Sequence, residues 1–315
     1  MNDFLVHLAG ALGCACLMAT GAIAQEQSSP PAKSFETAEL AADALIEAAG
    51  KFDVDALDTL FGAGGGDIFL SGELPRDRQR ALDFAAKAKE KSSVSLAAAD
   101  SASRAYLVVG NDNWPFPIPI VKSHGGWAFD TAAGRQELLN RRIGANELDA
   151  IALCRGYVEA QYAYAFQKRD GYGGHRYAQR IIATPGKRDG LAWQNDDGSW
   201  GGPVGQNVAR VIAQGYRSGA EPYHGYFFKV LKGQGPAATP HGEMDFVVDG
   251  AMIGGFALAA APAEYAKTGV KTFIVSHAGI VYEKDLGPGT LDAFRTMERF
   301  NPDASWTPVV EPKRK

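Results

Sequence analysis

Residues 94–130 read VSLAAADSASRAYLVVGNDNWPFPIPIVKSHGGWAFD, and across this stretch the apolar period is 2. VSLAAA, RAYLVVG, WPFPIPIVK and GGWAFD each alternate in the manner of half-buried strands, with Gly- and Asn-containing breaks between them. This is the pattern of an antiparallel meander. Gly125-Gly126 is expected to form the tight turn between Ile118–Lys122 and Trp127–Phe129. Pro115, Pro117 and Pro119 cannot donate ladder hydrogen bonds, so one side of their strand faces an edge or solvent.

Upstream, the period changes to that of helices. Leu40, Ala44, Leu45, Ala48 and Phe52, then Leu57, Leu60 and Phe61, have helical spacing interrupted at residues 50–53. Gly62 and Gly64-Gly65-Gly66 open a loop. A third helix is expected over 75–91, with Pro75 in its first turn. Residues 25–34, QEQSSPPAKS, read as a flexible leader. The segment from Phe4 to Ala24 is apolar or small and ends Ala22-Ile23-Ala24, which reads as a cleavable export signal over 1–24, although its start carries Asp3 and His7 rather than Lys or Arg. Interrupting Gly10, Gly13, Thr20 and Gly21 argue against a membrane anchor. No stable transmembrane segment is expected after cleavage, and the expected location is periplasmic or secreted. Cys14 and Cys16 leave with the signal, so Cys154 is the single cysteine that remains and no intrachain disulfide can form.

Downstream of the meander, GRQELLNRRI is helical and expected to stop at Gly144. A second helix over 145–168 carries Leu148, Ile151, Ala152, Val158, Tyr162 and Ala165 on one stripe and is expected to form a spine. Residues 169–222 read as loop-rich around a short helix at 208–214. Strands follow in YHGYFFKVL, MDFVV, GGFALAAAP, KTFIVS and GIVYE, with His277-Ala278 as a hairpin turn. The expected class is α+β in two domains: a helix-plus-curved-sheet domain over 35–132 and a spine-helix-on-antiparallel-sheet domain over 133–315.

Three resemblances rest on particular motifs. Asn113-Trp114-Pro115-Phe116-Pro117-Ile118-Pro119, Arg141-Arg142-Ile143-Gly144, Pro222-Tyr223-His224-Gly225-Tyr226-Phe227-Phe228 and Tyr282-Glu283-Lys284-Asp285-Leu286-Gly287 look like the bacterial exported family catalogued as domain of unknown function 2950, across the whole mature chain. Helices followed by a meander ending Gly-Trp-x-Phe-Asp resemble the cone of the nuclear transport factor 2 superfamily over 35–131, which implies a possible apolar cavity. Ala160-Gln161-x-x-Tyr164, Gly225-Tyr226-Phe227-Phe228 and Thr272-Phe273-Ile274-Val275 are similar to the head groups of type IV pilin-like proteins. The spine here is internal rather than N-terminal, so the resemblance implies a pilin-like head used as a soluble module.

The chain has 315 residues with 32 Lys+Arg against 36 Asp+Glu, a formal charge of -4. No basic field marks a nucleic-acid partner. His124, His175, His224, His241 and His277 lack metal-ligand spacing, and no metal or cofactor is expected. Asp170-Gly171-Tyr172-Gly173-Gly174 lacks alternating carboxylates, while Asn195–Ser199 is either a calcium-holding turn or a plain Asx-type turn. Cys154 reads as a small buried apolar group, and no Ser elbow or phosphate loop occurs. Arg141 and Arg142 with Glu147 read as an ion pair at the joint between two helical pieces.

Catalytic residues are therefore not assigned. Trp114, Trp127, Tyr223, His224 and Tyr226 are the candidate ligand-binding residues. The leading expectation is an exported, non-catalytic binding or structural protein of the cell envelope, partnered by an envelope protein or a small ligand. The alternatives are a carrier of a small or lipid-like ligand in an N-terminal cavity lined by Phe84, Tyr106, Trp114, Trp127 and Phe129, and a hydrolase with a site near His224.

Overall fold

A computed structural model describes residues 32–62, 64–97, 103–123, 125–167, 176–205, 209 and 221–310. The expected signal, most of the leader, the 170–174 loop, His124, His175 and nearly all of the 208–214 helix lie outside the described residues. The chain divides into two compact units, Met1–Thr131 and Ala132–Lys315.

In the first unit α1 (Ala38–Lys51) starts where the Thr37 hydroxyl accepts the Leu40 amide, and it ends where Phe52 turns left-handed and donates to the Ala48 and Ala49 carbonyls. Asp53 then caps α2 (Val54–Phe61) by accepting the Ala56 amide at 3.0 Å. These two caps place the helix break in the 50–53 interval that the spacing marked. A 3-10 turn at Gly65–Ile68 and α3 (Leu74–Glu90) follow, with Pro75 in the first turn. Five strands, β1 (Ser92–Leu96), β2 (Arg104–Val109), β3 (Trp114–Pro115), β4 (Ile120–Ser123) and β5 (Gly126–Phe129), pair antiparallel in the order β1-β2-β4-β5, with β3 beside β2. Ala105, Ile120 and Phe129 are successive cross-strand partners, so they share a face. That face packs on Leu45, Leu57, Leu60 and Phe61 to make the core.

Gly126, expected in the turn, lies inside the strand, where it pairs with Ser123. Gly126 is needed there for close approach: at φ 115°, a Cβ would lie 2.3 Å from the Phe35 carbonyl oxygen.

In the second unit α4 (Thr131–Phe166) is one continuous helix of 36 residues whose first residue belongs to the unit before. The expected stop at Gly144 does not occur. A single helical Gly costs about 1 kcal/mol relative to Ala, too little to break a helix with good helix formers on both sides. With the joint goes the expected ion pair: Arg141 bonds Glu137 one turn back, at 2.7 Å, and Glu147 turns to the sheet.

The stretch read as loop holds a small sheet of β6 (Arg180–Ile182), β7 (Gly190–Gln194) and β8 (Trp200–Gly201), with β6 and β7 parallel. Strands of two to five residues between glycines are too short for their period to show. The main sheet has the order β17-β16-β15-β14-β9, all antiparallel, from β9 (Tyr226–Leu231), β14 (Ala257–Pro262), β15 (Lys271–Ser276), β16 (Val281–Asp285) and β17 (Thr307–Pro308). Between β9 and β14 lie two short ladders, β10 (Gly233–Gln234) with β11 (Met244–Asp245), and β12 (Val247–Val248) with β13 (Ala251–Met252). All six residues of β14 are buried, so both faces of the sheet are covered there. The helix Thr290–Thr296 packs on β14, and Ala150, Cys154 and Tyr157 of α4 belong to the same core. The architecture is α+β.

Candidate functional site

The second unit concentrates its polar chemistry where α4 meets the turn before β9. Asn146 and Asp149 are three residues apart and so lie on one side of the helix. The Asn146 amide donates to the Thr268 carbonyl at 2.9 Å. Glu147 accepts the Val270 and Lys271 amides at 2.9 and 3.0 Å, satisfying two backbone donors at the entry of β15. Asp149 accepts a hydrogen bond from Nδ1 of His224.

His224 occupies an unusual backbone position. Tyr223 and Tyr226 exchange two backbone hydrogen bonds of 2.9 Å across a two-residue turn, in which His224 has φ 45° and Gly225 φ 75°. Both signs are those of a type I′ hairpin turn, whose first central position usually takes Asn, Asp or Gly. Holding histidine there costs on the order of 1 kcal/mol. The Tyr223 and His224 rings stack with centroids 4.2 Å apart and planes 12° apart. The side chains of His224 and Asp149 are each 51% exposed. The arrangement presents an imidazole oriented by a carboxylate, with Nδ1 engaged and Nε2 left to face another group.

Tyr226, two residues on, is part of the core. Its ring packs on Phe273, its hydroxyl donates to the Lys271 carbonyl at 2.9 Å, and burial with Glu147 nearby pushes the phenol pKa up. Cys154 is fully buried in α4, and burial pushes its thiol up to about 12. It serves as an apolar side chain.

Two helical turns further, Gln161 bonds both backbone groups of Ala178 and the Tyr157 hydroxyl, each at 2.8 Å. Phe256 is met edge-on by Tyr157, Tyr162 and Tyr177, with centroids 5.7, 5.5 and 4.8 Å away. His277 closes this cluster, and its Nδ1 is buried without a hydrogen-bond partner. Burial lowers its pKa, and His241 adds to the effect.

Trp114 and Trp127 belong to the first unit and make a separate group. Trp114 is 39% exposed and touches the edge of Phe116. Trp127 is half-buried on β5, exchanges backbone hydrogen bonds with Phe35, and has the Lys122 ammonium 6.0 Å from its ring centroid. Phe116 packs on Phe84 at 5.3 Å and on Phe129 at 6.3 Å, ring against ring. Tyr106 alternates with buried Ala105 and Leu107, so it lies on the face of β2 opposite Phe129 and away from the other aromatics grouped with it.

In the Asn195–Ser199 turn, Asp197 accepts the Ser199 amide and hydroxyl, and Asn195 Oδ1 accepts the Trp193 indole. These are the internal bonds of an Asx-type turn. Among the described residues no group of three or more His, Cys, Asp or Glu is placed to hold a metal ion, and no helix is long and apolar enough to cross a membrane.

Sequence reasoning selected Tyr223 and His224 but missed Asp149 and Gln161. Asp149 carried a usable signal, since it shares a helix face with Asn146. Its partner is 75 residues away, and no local pattern names it.

The family model described as "Protein of unknown function (DUF2950)" matches residues 32–309, and the chain belongs to that family. No curated protein and no solved structure matches it.

Proposed function

We propose that this member of the DUF2950 family is an exported protein of the cell envelope that acts by binding, through the Tyr223–Tyr226 turn of its second unit, and not through a catalytic centre. The observation that carries the reading is the Tyr223–His224 stack. Two rings are held in one orientation on a two-residue turn, with Asp149 fixing the imidazole and Asn146 packed beneath Gly225. Rigid aromatic groups give contact area at a low entropic cost, which is why they anchor interfaces. Around them, Glu147, Cys154, Gln161 and Tyr226 are taken up by the framework. The apolar segment ending Ala22-Ile23-Ala24, which reads as a cleavable signal, supports export.

A photoreactive residue at position 223, in cells making the full chain, tests this. The expected result is one crosslinked product, identified by mass spectrometry as a single envelope component, absent with the probe at exposed Leu40 and lost on His224→Ala. Identical products from positions 223 and 40 would overturn the reading. A second reading, a hydrolase using His224 as base, is favoured by the Asp149 contact alone, since a carboxylate on Nδ1 prepares Nε2 to accept a proton. It predicts turnover of an activated ester that falls at least about tenfold in both His224→Gln and Asp149→Asn.

A further inference from the structure

His277 begins the turn between β15 and β16, and three parts of the second unit meet on it. Its amide donates to the Phe256 carbonyl at 2.9 Å, and its own carbonyl accepts the Tyr162 hydroxyl at 2.6 Å. One residue therefore joins α4, the entry to β14 and the hairpin turn. Its ring is wedged edge-on against Phe246 and Phe256, with centroids 5.7 and 6.2 Å away. Gly255 makes the niche possible: at φ 145°, a Cβ there would lie 2.7 Å from His277 Nδ1 and 2.9 Å from Phe246.

The niche suits a neutral imidazole and opposes a charged one. An imidazolium needs an acceptor for each N–H, and Nδ1 is buried with none. No carboxylate among the described residues is hydrogen-bonded to the ring. The groups that face it are the Tyr162 hydroxyl from α4, already donating to the His277 carbonyl, the rings of Phe246 and Phe256, and His241 from the 235–243 loop. His241 opposes a positive charge on His277, so it adds repulsion where a switch that closes in acid would need attraction.

We propose that the His277 corner is an acid-released clasp: protonation expels the imidazole from its niche, frees the Tyr162 hydroxyl and uncovers Phe246 and Phe256. This inference is independent of the binding reading for the Tyr223–Tyr226 turn. Burial and His241 hold His277 below the ordinary histidine value of 6.5, so the ring is neutral and the corner closed at neutral pH. The sign follows from linkage. The unfolded chain takes up this proton first, so the stabilisation is complete above 6.5 and is lost as pH falls through the lower folded value.

Amide hydrogen exchange on the full chain, corrected for the intrinsic pH dependence of exchange, tests the clasp between about pH 7.5 and about pH 5. Protection of amides at 253–256 and 277–279 is expected to fall at least about tenfold on acidification, while β15 keeps its protection. His277→Gln, which cannot charge, should remove the pH dependence. His241→Asn, an exposed change that leaves the niche intact, should move the opening midpoint to higher pH, because it removes the like charge. Equal protection at both pH values, an unchanged pH dependence in His277→Gln, or a midpoint that stays or moves down in His241→Asn would overturn the proposal. Should His277→Gln fail to fold, the wild-type profile and the His241→Asn shift decide it.

Discussion

Gln161 and Ala178 exchange two hydrogen bonds of 2.8 Å, the side-chain amide donating to the Ala178 carbonyl and the side-chain oxygen accepting its N–H. Both residues are fully buried, so a side chain of α4 stands in for the strand partner that residue 178 lacks. Gln161→Met keeps the volume and leaves two buried backbone groups without partners. At roughly 1–3 kcal/mol each, the expected loss is about 2–6 kcal/mol in urea unfolding of the second unit. A loss below about 0.5 kcal/mol would show that water replaces the amide.

Gly225 has φ 75°, and a Cβ there would lie 2.7 Å from the Asn146 amide nitrogen and 2.8 Å from Thr268 Cβ. Gly225→Ala is expected to cost about 1–3 kcal/mol through backbone strain and displacement of Asn146. Asn146→Ala in the same background should recover part of it. Thermal melts of the single and double variants give the coupling directly.

Glu147 is the acceptor for two backbone amides at the start of β15. Glu147→Gln keeps an acceptor and should cost less than about 1 kcal/mol, whereas Glu147→Ala strands both donors and should cost about 2 kcal/mol or more. Chemical denaturation of the two variants side by side checks the ordering.

In a chain begun at residue 25, Cys154 is the single thiol. Its burial and a pKa pushed up to about 12 predict negligible reaction with a disulfide reagent at about pH 8 in the native state and full reaction in denaturant. Rapid labelling of the native protein would mean that α4 opens locally.

Asp77 in the first unit accepts the Ser71 hydroxyl at 2.6 Å and its amide at 2.8 Å, and these bonds hold its carboxyl below the ordinary 3.8. A depressed acid stabilises the fold above its unfolded value and ceases to as pH falls through the folded one. Ser71→Ala should therefore lower stability at neutral pH and flatten the decline below about pH 4. Fluorescence-monitored unfolding across that range gives the comparison.

The periods that placed α1, α2, α3 and the strands β2, β4, β5, β9, β14, β15 and β16 act within a turn or a few residues, which is why spacing alone located them, whereas the two-residue β17 carries no period to read. Gly144 and Gly126 were misread for a common reason. A glycine is a local stop signal only when nothing distant uses it or outweighs it, and here Phe35 uses Gly126 while the helix formers flanking Gly144 outweigh it. The candidate site was half legible. Tyr223 and Tyr226 look alike in sequence, yet one stacks on the half-exposed His224 and the other lies under β15.

Sequence by itself determined the α+β class, the family and that Cys154 is the one cysteine beyond residue 24, because periodicity, motifs and composition are local or additive. Tertiary structure decided which polar groups meet: Asp149 with His224, Gln161 with Ala178, Tyr162 with His277. Each of the three pairs joins α4 to a segment that follows it, and the pairing depends on how the helix is laid against the sheet and its loops. Helix propensity and strand alternation fix which side of an element is apolar. They leave open which partner that side will find.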